Sequence, residues 1–153
     1  MTEVAARVAA GAVDTLPACA LAAACYRERG WQVGAYRGQV WLRAGHPFEA
    51  LETSPEIGRQ ARAFLTALRT ATPIIEVPGS PVRWVLLTEP HRDQLPETRR
   101  FLAGAGVRHL RAGAEIDLPP TGSPEGTARW VVGYRTPACG FVLVASALMA
   151  ATT

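Results

Sequence analysis

The chain has 153 residues and a formal net charge of +3, and 48% of its residues are hydrophobic. This length and apolar content suffice for one domain with a buried core and exclude an intrinsically disordered chain. All 16 basic residues are arginines spread along the chain, a balance that permits contact with phosphate groups without requiring it.

The cysteines and the N-terminal residues indicate a cytoplasmic protein. Cys19, Cys25 and Cys139 stand in apolar surroundings and lack the paired spacing of zinc ligands, so we expect reduced, buried thiols. Residues 1–14 have no continuous apolar stretch, which predicts a frayed helix or a mobile segment and no signal peptide. The longest apolar stretch, 138–152, is shorter than the about 20 residues that span a bilayer. We therefore expect a single domain over 15–153 and no membrane partner.

Local signals predict a helix and then a hairpin in the first third of the chain. Thr15 can cap a helix that ends at Gly30. Its expected apolar face consists of Leu16, Cys19, Ala20, Ala23 and Ala24. Apolar and polar residues then alternate over 31–36 and 39–43 around an Arg37-Gly38 turn, which predicts a hairpin with one buried face.

The remaining elements follow in alternating order. Residues 48–52 predict a strand, and Ser54 caps the clearest helix of the chain, which Pro73 ends. A second hairpin is expected over 74–77 and 82–87, and a helix capped by Asp93 is expected to stop at Gly104 and Gly106. Strands at 107–110, 115–118 and 128–134, a Pro/Gly loop at 119–126 and a helix at 141–149 complete the order. Together they predict an α+β fold with a mainly antiparallel sheet and helices packed on it.

Several carboxylates are candidate ligands for a divalent cation, because hard cations prefer clustered oxygen ligands. They are Glu49, Glu52, Glu76, Glu115 and Asp117. Positions three apart in a strand point to opposite faces, so Glu49 and Glu52 would need a bulge or a strand end to converge. Solvent-facing carboxylates are the alternative interpretation. His46, His91 and His109 accompany no nucleophile motif, which disfavours hydrolase chemistry.

The loop at 119–126 is the candidate ligand loop. It contains Thr121 and is followed by Arg129, which could pair with a phosphate, and by Trp130, which could stack on a base. The alternative is a connecting loop beside a strand whose tryptophan lies in the core. The alternating apolar patterns favour core positions for both Trp84 and Trp130.

Three stretches of the chain keep a common order. They are ACALAAACYRERGWQV ending at Val33, the segment from HPFEALE at 46–52 to PGSPVRW at 78–84, and GAEIDLPPT at 113–121 followed by Gly126 and Arg129-Trp130. Taken together they resemble the actinobacterial proteins grouped with the N-terminal domain of bifunctional DNA primase/polymerases, or prim-pol, a branch of the archaeo-eukaryotic primase superfamily. The resemblance implies an RRM/primase-like sheet.

Active members of that family hold two metal ions and a nucleoside triphosphate with an acidic pair, a histidine on the next hairpin and a further acid. The resemblance implies that the acidic pair falls on Glu49 and Glu52 and the further acid on Glu115 or Asp117. Arg83-Trp84 stand in the hairpin where the family has its histidine.

These observations lead to three hypotheses. The first is a degenerate primase-polymerase-like domain that does not catalyse and that binds a nucleotide or nucleic acid through Arg83, Arg111 and Arg129, near Thr121 and Trp130. The second is an active nucleotidyltransferase in which Glu49, Glu52 and Asp117 hold Mg²⁺ or Mn²⁺. The third is a domain that binds another protein and has no nucleic-acid role.

Overall fold

A computed structural model of the chain describes residues 16–90 and 96–153. The helices in these parts are α1 (Leu16–Glu28), α2 (Pro55–Ala67), α3 (Pro96–Gly104) and α4 (Phe141–Ala151). The first strands are β1 (Val33–Tyr36), β2 (Gln39–Arg43), β3 (Glu49–Thr53), β4 (Ile74–Val77) and β5 (Arg83–Thr88). The later strands are β6 (Arg108–Leu110), β7 (Glu115–Leu118), β8 (Gly122–Ser123), β9 (Gly126–Thr127) and β10 (Arg129–Val132).

The strands form a five-stranded sheet in the order β10-β4-β5-β3-β6, a three-stranded sheet in the order β1-β2-β7, and a small β8-β9 hairpin. Every pairing between these strands is antiparallel. The α+β prediction with a mainly antiparallel sheet is thus confirmed. The expected N-terminal segment 1–14, the proposed boundary at residue 15 and the Asp93 cap lie outside the described residues.

The five-stranded sheet is the central layer and carries a hydrophobic cluster on each face. One cluster joins Ala50, Val85 and Leu87 to α1 and to the three-stranded sheet. The other joins Leu51, Leu86 and Ile74 to α2, α3 and α4. Because side chains alternate along a strand, neighbouring residues of β3 and β5 belong to different clusters. The two faces of this sheet therefore offer two separate chemical environments.

The buried face of α1 differs from the predicted one. Cys19, Ala23 and Tyr26 are buried, whereas Ala20 and Ala24 are exposed. Tyr26 stacks on Trp31 with a centroid distance of 5.3 Å and an angle of 9° between the rings. Burial of this large aromatic ring decides the orientation of a helix whose other residues are mostly small. The predicted face of α1 was therefore right for Cys19 and Ala23 and wrong for Ala20 and Ala24, because alanine side chains have too little area to orient the helix.

Trp84 is only 3% exposed, so its predicted core position is confirmed. Trp130 is half-buried and belongs to an aromatic group with Tyr26, Trp31 and Tyr134. Within the described parts of the chain, none of the helices has the length and apolar character needed to cross a bilayer.

Candidate functional site

Three charged residues share the face of the five-stranded sheet that looks toward the three-stranded sheet. Glu52 on β3 is aligned with Val85 on β5 and with Arg108 on β6. Arg83 stands two residues before Val85 and therefore lies on the same face. This register places Arg83 on one of the strands that neighbour Glu52 and Arg108 on the other.

These residues line a cleft of about 440 Å³ beside β7 of the three-stranded sheet, which we call the inter-sheet cleft. Glu115 and Asp117 of β7 line it as well, together with Val77, Val85 and Leu110. Among the described residues, its charged lining contains two guanidinium groups and three carboxylates. The cleft is thus polar, with groups that could contact both a phosphate and a cation.

The two arginines of the cleft have different surroundings. Arg83 Nη1 donates to Glu52 Oε1 at 2.8 Å, with side-chain exposures of 42% for the arginine and 12% for the glutamate. Arg108 is exposed and makes no ion pair with any other residue between 16 and 90 or 96 and 153. An anion that enters the cleft can therefore contact Arg108 without first displacing a carboxylate of the described residues.

Glu49 does not join the cleft. Its Oε2 lies 3.0 Å from Nε2 of His109, on the helix-covered face, where the His109 ring lies 4.9 Å from that of Phe141. Burial lowers the pKa of His109 from its ordinary value, although the Glu49 carboxylate opposes this shift. The pairing of β3 with β5 runs from Glu49 to Thr53 without a bulge, so residues three apart stay on opposite faces.

The carboxylates expected to hold a metal ion are therefore separated. Glu52 and Asp117 line the cleft, and Glu49 lies behind the sheet. Among the residues that the structure describes, no three or more His, Cys, Asp or Glu side chains are grouped so that they could hold a metal ion. The predicted set of Glu49, Glu52 and Asp117 is thus not brought together.

Arg129 and Arg83 lie on opposite faces of the five-stranded sheet, because side chains alternate between the faces along each strand. Its Nε donates to Glu76 Oε2 at 2.7 Å, and Trp84 Nε1 donates to Glu76 Oε1 at 3.1 Å. These hydrogen bonds, that from Arg129 foremost, lower the pKa of Glu76. Arg129, Glu76 and Trp84 are register partners on the helix-covered face, whereas Arg83 follows the opposite alternation. The expected site shared by Arg83 and Arg129 does not form.

Thr121 and Trp130 are engaged within the fold. Thr121 Oγ1 donates to the Val40 carbonyl at 2.8 Å and accepts from the Val40 amide at 2.9 Å. Trp130 Nε1 donates to the Tyr26 hydroxyl at 3.0 Å, and that hydroxyl donates to the Pro119 carbonyl at 2.6 Å. Burial also raises the pKa of Tyr26. The candidate ligand loop is therefore anchored to β2 through Thr121 and to α1 through Tyr26, which also accepts the hydrogen bond of Trp130.

Arg108 lines the inter-sheet cleft, and Arg111 follows Leu110, which also lines it. Arg111, predicted to bind a ligand, is exposed in the turn between β6 and β7, whose Gly113 and Ala114 line the cleft. Arg108 was not predicted. Its position two residues before the buried Leu110 assigns it a face of β6, but only the pairing of β6 with β3 brings it beside Glu52.

Comparison with protein-family models, with curated proteins and with solved structures finds no match to this chain, so the primase-polymerase resemblance stays a prediction.

Proposed function

We propose that the protein is a non-catalytic binding domain of primase-polymerase type whose inter-sheet cleft binds the phosphates of a nucleotide or nucleic acid. The observation that carries this proposal is the pair of strand-borne arginines, Arg83 and Arg108, that flank Glu52 and face one cleft. The cleft volume lies within the range of about 300 to 1,000 Å³ that is usual for small-molecule sites.

The chemistry of the arginines supports a phosphate ligand. A guanidinium group presents a planar set of donors that matches two phosphate oxygens, and it keeps its charge at all physiological pH values. Both arginines lie on strands paired within the five-stranded sheet, so their backbone positions are already ordered. Binding on such rigid elements costs less conformational entropy than binding on loops.

The carboxylates among the described lining residues favour a ligand that brings its own cation. A bare triphosphate meets the carboxylates of Glu52, Glu115 and Asp117 as well as the two guanidinium groups. A Mg²⁺-complexed triphosphate carries less negative charge, and its metal ion is attracted by those carboxylates. We therefore expect tighter nucleotide binding with Mg²⁺ than without it.

Thermal-shift titration with nucleoside triphosphates, with and without Mg²⁺, tests this function, because a ligand of the folded state raises the melting temperature. We expect Arg108→Ala to weaken binding by about tenfold, the effect of losing one charge-assisted hydrogen bond. Glu52→Gln should strengthen binding without Mg²⁺, because it releases Arg83 and removes a negative charge. Arg62→Ala, on the exposed side of α2, is the matched control and should bind like the wild type.

The proposal fails if no nucleotide shifts the melting temperature, or if Arg108→Ala and Arg62→Ala behave alike. Absence of both nucleotide and oligonucleotide binding would favour the hypothesis of a protein-interaction domain.

We expect no templated product in primer-extension assays with radiolabelled nucleotides and Mg²⁺ or Mn²⁺, run beside a competent polymerase. Two-metal transfer needs carboxylates that hold two ions about 4 Å apart, and the sheet separates Glu49 from Glu52. Product that disappears in Glu52→Gln and Asp117→Asn would instead establish an active nucleotidyltransferase.

A further inference from the structure

The three-stranded sheet has an outer face that turns away from the hydrophobic core. Gly34 on β1 is aligned with Trp41 on β2, so these positions share a face. Tyr36 and Arg43, each two residues further along its strand, lie on that face too. The alternate residues Val40 and Leu42 are buried in the core. We call the surface formed by Gly34, Tyr36, Trp41 and Arg43 the outer sheet face.

Trp41 lies against the backbone of β1. A Cβ atom at position 34 would overlap the indole ring of Trp41, so the ring occupies the space that a side chain would otherwise fill. The indole is nevertheless only partly buried. Contact with the glycine holds the ring in place while part of its surface remains open to solvent, so stacking on it would cost little side-chain entropy.

Arginine side chains lie near both Trp41 and Tyr36. A shallow groove of about 430 Å³ is lined by Trp41 and Arg43 and by Arg27, whose Nη2 donates to the Val33 carbonyl at 3.1 Å. Arg43 makes no ion pair with any other described residue. Tyr36 is 50% exposed, and the Arg37 guanidinium carbon lies 5.7 Å from the centroid of its ring.

We propose that the outer sheet face is a second binding site, for single-stranded nucleic acid, in which Trp41 and Tyr36 stack on bases and Arg27, Arg37 and Arg43 contact the phosphates. A surface on which aromatic rings alternate with cations matches an unpaired nucleic-acid strand. Each base can stack on an aromatic ring, and each phosphate carries a negative charge that an arginine can neutralise. In a duplex the bases are stacked on one another and cannot cover these rings.

The carboxylates next to this face indicate where the nucleic-acid strand would lie. Asp117 and Glu115 of β7 are the register partners of Trp41 and Arg43. These carboxylates, which also line the inter-sheet cleft, disfavour the close approach of a phosphate that has no bound metal ion. The strand therefore lies along β1 and β2, with its phosphates toward α1 and the Arg37-Gly38 turn. This site goes beyond the function proposed for the inter-sheet cleft and does not depend on it.

The test is fluorescence anisotropy of a labelled 12-nucleotide thymidine oligomer at increasing salt, with wild type, Trp41→Leu, Trp41→Phe, Arg43→Ala and the control Arg62→Ala. Loss of one base stack should make Trp41→Leu about tenfold weaker, and Trp41→Phe should restore part of the affinity. Three phosphate contacts predict a slope of about −2 for log affinity against log salt, and Arg43→Ala should flatten it by about 0.7. Arg62→Ala should match the wild type. Trp41→Phe and Arg43→Ala keep the test decisive if Trp41→Leu does not fold.

This site would be overturned by wild-type affinity in both Trp41→Leu and Arg43→Ala, by equal affinity for the oligomer and its duplex, or by no binding of the oligomer at low salt. A loss of oligomer binding in Arg108→Ala but not in Trp41→Leu would assign the strand to the inter-sheet cleft, which overturns the outer site and leaves the proposed function standing. If the outer site fails alone, the nucleotide-dependent thermal shift persists. If the cleft fails alone, oligomer binding still depends on Trp41 and Arg43.

Discussion

Replacement of Trp84 by alanine is expected to lower the free energy of unfolding by about 3 to 5 kcal/mol, the usual cost of deleting a buried tryptophan. The indole lies between the five-stranded sheet and α2, and its Nε1 donates to Glu76. The guanidinium carbon of Arg59 stands 5.5 Å from its ring. Truncation thus leaves a cavity and removes a hydrogen bond to the Glu76 carboxylate, which also accepts from Arg129.

Urea denaturation followed by far-UV circular dichroism measures this loss. Val142→Ala is the matched control, because Val142 is 60% exposed on α4 and its truncation should change the free energy of unfolding by no more than about 0.5 kcal/mol. Similar losses in the two variants would show that Trp84 does not have the packing described.

Replacement of Gly58 by alanine is expected to destabilise the protein by about 1 to 3 kcal/mol, the typical cost of overpacking a core. In an exposed helix the same change would be favourable by about 0.5 to 1 kcal/mol. Gly58 lies in α2 against the indole, and a Cβ atom there would come within 2.6 Å of Trp84 Cε3. The steric overlap should therefore exceed the gain in helix propensity.

Gly104→Ala provides the matched control, because Gly104 lies in the last turn of α3 and an added Cβ atom would stand in open space. We expect this variant to unfold at the same denaturant concentration as the wild type or at a higher one. In a Trp84→Ala background, Gly58→Ala should no longer destabilise, since the overlapping ring is absent. An unchanged cost in that background would mean that the indole is not the obstacle.

Local signals in the sequence predicted the helices and the longer strands in their observed order, but not the short β8-β9 hairpin, which forms where a Pro/Gly loop was expected. Ser54 was predicted to cap a helix, and its side chain accepts a hydrogen bond from the Ile57 amide at 3.3 Å. The Arg37-Gly38 turn was predicted from its residue types, and both residues adopt a positive φ, of 39° and 78°. Capping and turn formation depend on groups a few residues apart, so the sequence contains them in full.

Only the tertiary structure decided which charged groups meet. Alternation shows that Glu49 and Glu52 point in opposite directions, but the pairing of β3 with β5 and β6 decides that Glu52 pairs with Arg83 and is the register partner of Arg108. The same pairing separates Arg83 from Arg129 and places His109 beside Glu49. Strand order and register arise from contacts between residues far apart in the chain, and a shift of one residue would exchange the faces of a strand. The alternation of side chains along each strand can therefore be predicted from this sequence, whereas the set of residues that line the cleft cannot.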